Sequence, residues 1–153
     1  MPTLIDKLIG FGFSPQQPLL ERKVIAVKEN GKEYRVAFTP KKRCAAYQVD
    51  GTIITKGNKC DKLLAIELET DKWVEIFVEL KGKNITHAIE QLEATIQYDL
   101  FKHPTVTNKR ARIVGQSIPR NTGNSVMERA KIRFKKLYKC DLRAFSSTPN
   151  ETL

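Results

Sequence analysis

The chain has 153 residues, 41% of them hydrophobic and 29% charged, which suits one soluble domain able to bury its own core. No apolar run approaches the ~20 residues of a membrane helix, and Met1 to Ile9 carries Asp6 and Lys7 instead of a basic start before a long apolar stretch, so neither a membrane span nor a secretory leader is expected and a cytoplasmic location is. The formal net charge is +10, and the three cysteines (Cys44, Cys60 and Cys140) are odd in number and lack C-x-x-C spacing, which argues against a disulfide framework or a zinc site and for reduced thiols.

Thr3 to Ile9 predicts a short helix stopped by Gly10 and Gly12, and Pro15 and Pro18 a turn or linker. Leu19 to Val27 reads equally as helix or, through Val24-Ile25-Ala26-Val27, as strand. Asn30-Gly31 signals a turn, with a strand from Glu33 to Phe38 after it. Cys44 to Ile54 predicts a strand bent at Asp50-Gly51, with Asp50 read as a turn residue. Cys60 to Leu68 and Trp73 to Leu80 predict a hairpin around Glu69-Thr70-Asp71-Lys72. Asn84 or Thr86 caps a helix with Ile85, Ala88, Ile89, Leu92 and Ile96 at helical spacing, fading near Leu100 before Pro104. His87 reads as a solvated residue at its start.

Arg112-Ile113-Val114 predicts a short strand, and Pro119, Asn121 and Gly123 a loop. Ser125 caps a last helix with the apolar line Met127, Ala130, Phe134 and Leu137. One domain over residues 1–145 and a flexible polar tail over 146–153 are expected. Strands, helix, strand, helix in that order predict an α/β domain with a central mixed sheet flanked by helices.

The charge is unevenly placed. Twelve Lys or Arg stand between Lys102 and Arg143, opposed by Glu128 and Asp141, a surplus that equals the charge of the whole chain. Such a field attracts polyanions, and nucleic acid is the expected partner. Arg112, Arg129, Arg133, Lys135 and Lys136 are the candidate phosphate contacts. No Trp- or Phe-rich apolar face accompanies the charge, so no membrane partner is expected.

Side chains in a strand alternate with period two. Trp73, Glu75, Phe77, Glu79 and Lys81 therefore share one face, and Val74, Ile76, Val78 and Leu80 the other. Glu79 and Lys81 point the same way at a strand end, before Gly82 and a helix, where open α/β sheets bind ligands. Asp61 opens the preceding strand. A symmetric two-residue turn pairs it with Leu80, on the wrong face. A turn one residue longer or shorter, or a bulge, brings it beside Glu79 or Lys81, and one of these is expected. Two carboxylates suit Mg²⁺, a hard cation that prefers oxygen ligands, and a neighbouring lysine steers a water or stabilises developing negative charge.

Asp61, seventeen residues, then Glu79-Leu80-Lys81 resembles the D…E-x-K motif of the PD-(D/E)XK nuclease superfamily, which includes many restriction endonucleases and archaeal Holliday-junction resolvases. Asn58 to Leu64, Phe77 to Gly82 and His87 to Leu92 resemble small bacterial proteins of that superfamily, over about residues 44 to 118. The resemblance implies a restriction-endonuclease-like core of helix, three-stranded meander, helix and strand. It implies a Mg²⁺- or Mn²⁺-dependent endonuclease that hydrolyses phosphodiester bonds, in DNA ahead of RNA, and a homodimer where both strands are cut. Asp61 and Glu79 bind the metal on this resemblance, with the Leu80 carbonyl as a further ligand, Lys81 orients water or stabilises the transition state, and Gln91 supports the site. Tyr98 lies seven residues beyond Gln91, a wider spacing than the family's. The acidic residue that the family often adds on the helix before the sheet has competing candidates in Asp6, Glu21 and Glu33, and Cys60 replaces the Pro of the family name. The alternatives are a non-catalytic nucleic-acid-binding module on the same fold and a scaffold bound to an acidic protein.

Overall fold

The computed structural model describes residues 2–80, 84–115 and 125–153. Helix α1 (Leu4–Gly10) starts at a capping box: the Thr3 hydroxyl accepts from the Asp6 amide and the Asp6 carboxylate accepts from the Thr3 amide. Strands β1 (Gln17–Glu29) and β2 (Lys32–Gln48) form a long antiparallel hairpin. Its turn residues Asn30 and Gly31 both have positive φ, 54° and 72°, the twist that matches a two-residue hairpin loop. The ambiguous segment is thus strand, with Ile25 and Val27 buried at alternate positions. Pro18 is tolerated in it because β1 lies at the sheet edge.

A second antiparallel hairpin follows, β3 (Lys62–Glu69) and β4 (Lys72–Glu79). Helix α2 (Ile85–Ile96) is capped by Asn84, whose side chain accepts from the His87 amide. Then come β5 (Val106–Val114), α3 (Ser125–Tyr138), β6 (Cys140–Phe145) and the short β7 (Glu151–Thr152). The sheet order is β1-β2-β3-β4-β5-β6, with β7 parallel to β2. Pairing is antiparallel from β1 to β4 and parallel for β4–β5 and β5–β6. Each parallel join needs a crossover, and α2 and α3 lie in those two connections. The domain is therefore α/β, with a mixed seven-stranded sheet and three α-helices among the described residues.

Alternation along β4 divides the core. Trp73 and Phe77 face α1, α2 and α3 in one cluster with Leu4, Leu8, Ile89, Leu92, Ala130 and Phe134. Val74, Ile76, Val78 and Leu80 face the other way, among Ile25, Val27, Tyr34, Val36 and Phe38. The turn half of the β1–β2 hairpin thus closes the second face, and β4 is buried on both sides.

Several expectations change. Leu137 is 61% exposed, and Tyr138 packs edge-on against Phe134 in its place, because four residues and not three continue the buried stripe at the end of α3. Strand β5 begins at Val106, earlier than its apolar end suggested, and β6 was not anticipated. The C-terminal residues expected to be loose are docked. Glu151 and Thr152 pair with β2, the Leu153 amide donates to the Ala37 carbonyl, and Glu151 accepts hydrogen bonds from Tyr34 and Arg112. Among the described residues no helix is long and apolar enough to cross a membrane.

Candidate active site

The β3–β4 hairpin carries an irregularity between Glu67 and Glu69, so that Lys62 pairs with Val78 and Leu63 with Phe77. One step further, beyond the last pair of the ladder, the Asp61 amide donates to the Val78 carbonyl at 3.1 Å. The bulge shifts the register of this ladder by one residue relative to an unbroken hairpin closed at Glu69–Lys72. Asp61 Oδ2 accepts a 2.7 Å hydrogen bond from the Leu80 amide, which ties the start of β3 to the residue after β4. Asp61 and Glu79 are each only 1% exposed, and Leu80 is buried. Lys81, the third member of the expected motif, lies outside the described residues.

Helix α2 holds the segment that delivers Asp61. The Cys60 amide donates to Thr95 Oγ1 at 2.8 Å, and that hydroxyl donates to the Gln91 carbonyl at 2.8 Å. Gln91 Nε2 donates to the Lys59 carbonyl at 3.1 Å. Gln91 thus holds the backbone two residues before Asp61, and its buried Oε1 has no hydrogen-bond partner among the described residues. Burial pushes the Cys60 thiol far above its usual range, with the nearby Glu79 and Asp61 charges adding to it, so this cysteine is inert. His87 is exposed at the start of α2, and Tyr98 lies beyond its end, 38% exposed.

A polar group beside Asp61 was not legible in the sequence. The Glu29 carboxyl is raised above its ordinary range by burial and then by a hydrogen bond to, and the charge of, Asp61. Gln48 Nε2 reaches Glu29 Oε1 at 3.4 Å and the Asp50 carbonyl at 3.0 Å. Lys62 is buried, and its ammonium donates to Gln16 Oε1 at 3.1 Å and to Gln48 Oε1. Of the acidic residues expected to compete for this place, Asp6 caps α1, Glu33 pairs with Lys28 at 3.3 Å, and Glu21 is exposed. Glu29 precedes the Asn30-Gly31 turn and reads as part of it. Only the fold of β1 over the end of β2 carries it to Asp61.

Asp61, Glu79 and the Leu80 carbonyl are hard oxygen donors, the set that Mg²⁺ takes while keeping several waters. Glu29 beside Asp61 adds to the acidic groups at this end of the sheet, a concentration of negative charge that a divalent cation also relieves. The donor chemistry fits the metal. Among the described residues, no group of three or more His, Cys, Asp or Glu has a metal-holding arrangement.

The basic residues separate into two kinds. Arg112, expected as a phosphate contact, is 1% exposed and committed inside the protein. It donates to Glu151 Oε1 at 2.5 Å, to Asp141 Oδ2 at 2.9 Å and to two backbone carbonyls, so it is not presented to a polyanion. Arg133 forms a two-pronged pair with Glu93 at 2.9 and 3.0 Å. Arg129, Lys135 and Lys136 are exposed on α3. Lys109, Arg110, Lys131 and Lys139, counted in the basic segment after Lys102 but not singled out among its phosphate contacts, line one cleft with Lys135, of about 590 Å³. The i, i+4 spacing of Lys131 and Lys135 was the available signal; the contribution of β5 was not foreseeable.

The chain matches no protein-family model, no curated protein and no solved structure.

Proposed function

We propose that the protein is a metal-dependent nuclease that hydrolyses phosphodiester bonds, with DNA favoured over RNA as its substrate. The observation that carries this is two buried carboxylates at one end of the β3–β4 hairpin, Asp61 just before β3 and Glu79 at the end of β4. The order of α1, the β2–β3–β4 meander, α2 and β5 is also the order implied by the resemblance to the PD-(D/E)XK superfamily.

Asp61, Glu79 and the Leu80 carbonyl would hold Mg²⁺ or Mn²⁺. The metal supplies charge neutralisation at the phosphate and a bound water of lowered pKa. The chain's own part is positional. Thr95 and Gln91 fix the Lys59–Cys60 backbone, the Leu80 amide fixes one oxygen of Asp61, and the bulge fixes the register. Lys81, two residues after Glu79, supplies the ammonium that steers the attacking water or stabilises the developing charge.

The near-complete burial of Asp61 and Glu79 favours a second reading, a nucleic-acid-binding module on the same fold that does not cut. Incubation of linear, circular, single-stranded and branched DNA and of RNA with Mg²⁺, Mn²⁺ or EDTA separates the two. Metal-dependent cutting that falls about 10²-fold or more in Lys81→Ala and in Asp61→Asn is the expected result. Salt-sensitive binding without cutting of any substrate would overturn the enzyme in favour of the module.

A further inference from the structure

We propose that the cleft between α3 and the entering ends of β5 and β6 seats the phosphate backbone of a nucleic acid, several nucleotides away from the Asp61–Glu79 pair. This deepens the nuclease reading and rests on it for the nature of the anion.

The cleft is built from two directions. Lys131 and Lys135 stand one turn apart on α3, and Lys139 follows four residues later with a φ of 52° just past the helix end. Lys109 and Arg110 come from the middle of β5. Lysines in a last helical turn also complement the helix dipole, which is the bland account of Lys135. That account does not reach Lys109 or Arg110, which belong to a strand 20 residues and more earlier in the chain.

The charges are largely uncompensated. Among the described residues Asp141 is the one carboxylate in the lining, and it is already held by Arg112 at 2.9 Å and Arg143 at 3.1 Å. Lys131 meets Glu128 at 3.6 Å with both side chains about half exposed, a pair worth ~0–1 kcal/mol. Among the described residues, Lys109, Lys135 and Lys139 have no ion pair. Like charges gathered around a concave surface attract a polyanion and release its counterions. Thr107 and Asn108 add neutral polar groups, and among the described residues no aromatic side chain lines the cleft for base stacking. The cleft therefore suits backbone contact without sequence readout.

Its position sets a length requirement. Lys109 pairs with Glu75 and Ile113 with Glu79, so the cleft lies four strand residues from the acidic pair. At ~3.3 Å per residue the separation along the sheet is ~13 Å, about four phosphates at 3.4 Å per nucleotide along a duplex. A substrate that engages both places must extend at least that far from the scissile bond.

The test is anisotropy of the full chain with a labelled duplex and a labelled single strand, in EDTA, over a salt series. Lys109→Gln/Lys135→Gln is compared with Lys23→Gln/Lys41→Gln, exposed lysines on β1 and β2 whose removal costs the same charge. The cleft pair is expected to weaken binding at least tenfold at 0.1 M salt and to flatten the log–log salt slope by about 1.8 on duplex, with less than twofold change in the control pair. Equal weakening by both pairs would overturn the cleft, as would no binding by the unmodified protein. Poly-glutamate binding with the same lysine dependence, when nucleic acid does not bind, would overturn the choice of occupant. Because binding is read without metal, a protein that binds through the cleft and cuts nothing sinks only the nuclease reading. A protein that cuts while the cleft pair binds normally sinks only this proposal.

Discussion

Arg112 Nε lies 2.5 Å from Glu151 Oε1, and this buried pair ties the last residues of the chain to β5. Tyr34 donates to the same Glu151 oxygen at 2.6 Å, so β2, β5 and the C-terminus meet at one carboxylate. Burial alone would lower the Arg112 pKa. The Glu151 hydrogen bond and charge overcome it and hold the guanidinium above its ordinary value. Breaking such a pair from one side strands the other charge, which typically costs ~3–5 kcal/mol.

Arg112→Ala, Glu151→Ala and removal of residues 146–153 should therefore each destabilise the domain by about that amount in denaturant titrations. The two point changes should be strongly non-additive in a double-mutant cycle. The salt slope of nucleic-acid binding should stay at its original value in Arg112→Ala, measured where the variant is folded. A stable Arg112→Ala protein with a shallower slope would return this residue to the phosphate contacts.

Glu75 gives a pH dependence of definite sign. Both of its carboxylate oxygens are buried without a hydrogen-bond partner among the described residues. Burial pushes its pKa up from 4.5 to about 8, with Lys109 and Lys7 pulling the other way. Between those values the folded state keeps a proton that the unfolded state has lost. Stability from this group is full below pH 4.5 and falls as pH rises toward 8, by roughly 3 kcal/mol between pH 4.5 and 7 at ~1.4 kcal/mol per unit. Glu75→Gln should gain steadily on the unmodified protein over that window when denaturation midpoints are compared. Parallel curves for the two proteins would refute the assignment.

Thr95 is the joint between α2 and the residue before Asp61. Thr95→Val keeps the shape and leaves the buried Cys60 amide without an acceptor, a loss of about 1–3 kcal/mol. Thr95→Ser keeps the hydroxyl and should lose less than half of that. The Val variant should also lose part of any thermal stabilisation by Mg²⁺, read by calorimetry, because the Asp61 segment is no longer held from the helix.

The local signals were legible because they act over a few residues. Asn30-Gly31, the polar turn between Glu69 and Lys72, and the spacing of Ala88, Ile89, Leu92 and Ile96 state their own conformation, and those elements stand where the patterns put them. The alternation in Trp73 to Glu79 likewise assigned two faces, both buried.

By itself, then, the sequence determined the α/β class, the β3–β4 hairpin that carries Asp61 and Glu79 at one end, and the concentration of charge after Lys102. The tertiary structure decided the rest. It chose strand over helix for β1, since Ile25 and Val27 find a partner face only on the assembled sheet. It placed the bulge between Glu67 and Glu69 that shifts the β3–β4 register, because register depends on packing along the whole hairpin. It brought Glu29 to Asp61 and Glu151 to Arg112, 32 and 39 residues apart, and withdrew Arg112 from the surface. Contacts of that separation leave no periodicity in a chain; they arise when buried charges must find counter-charges once the sheet has closed.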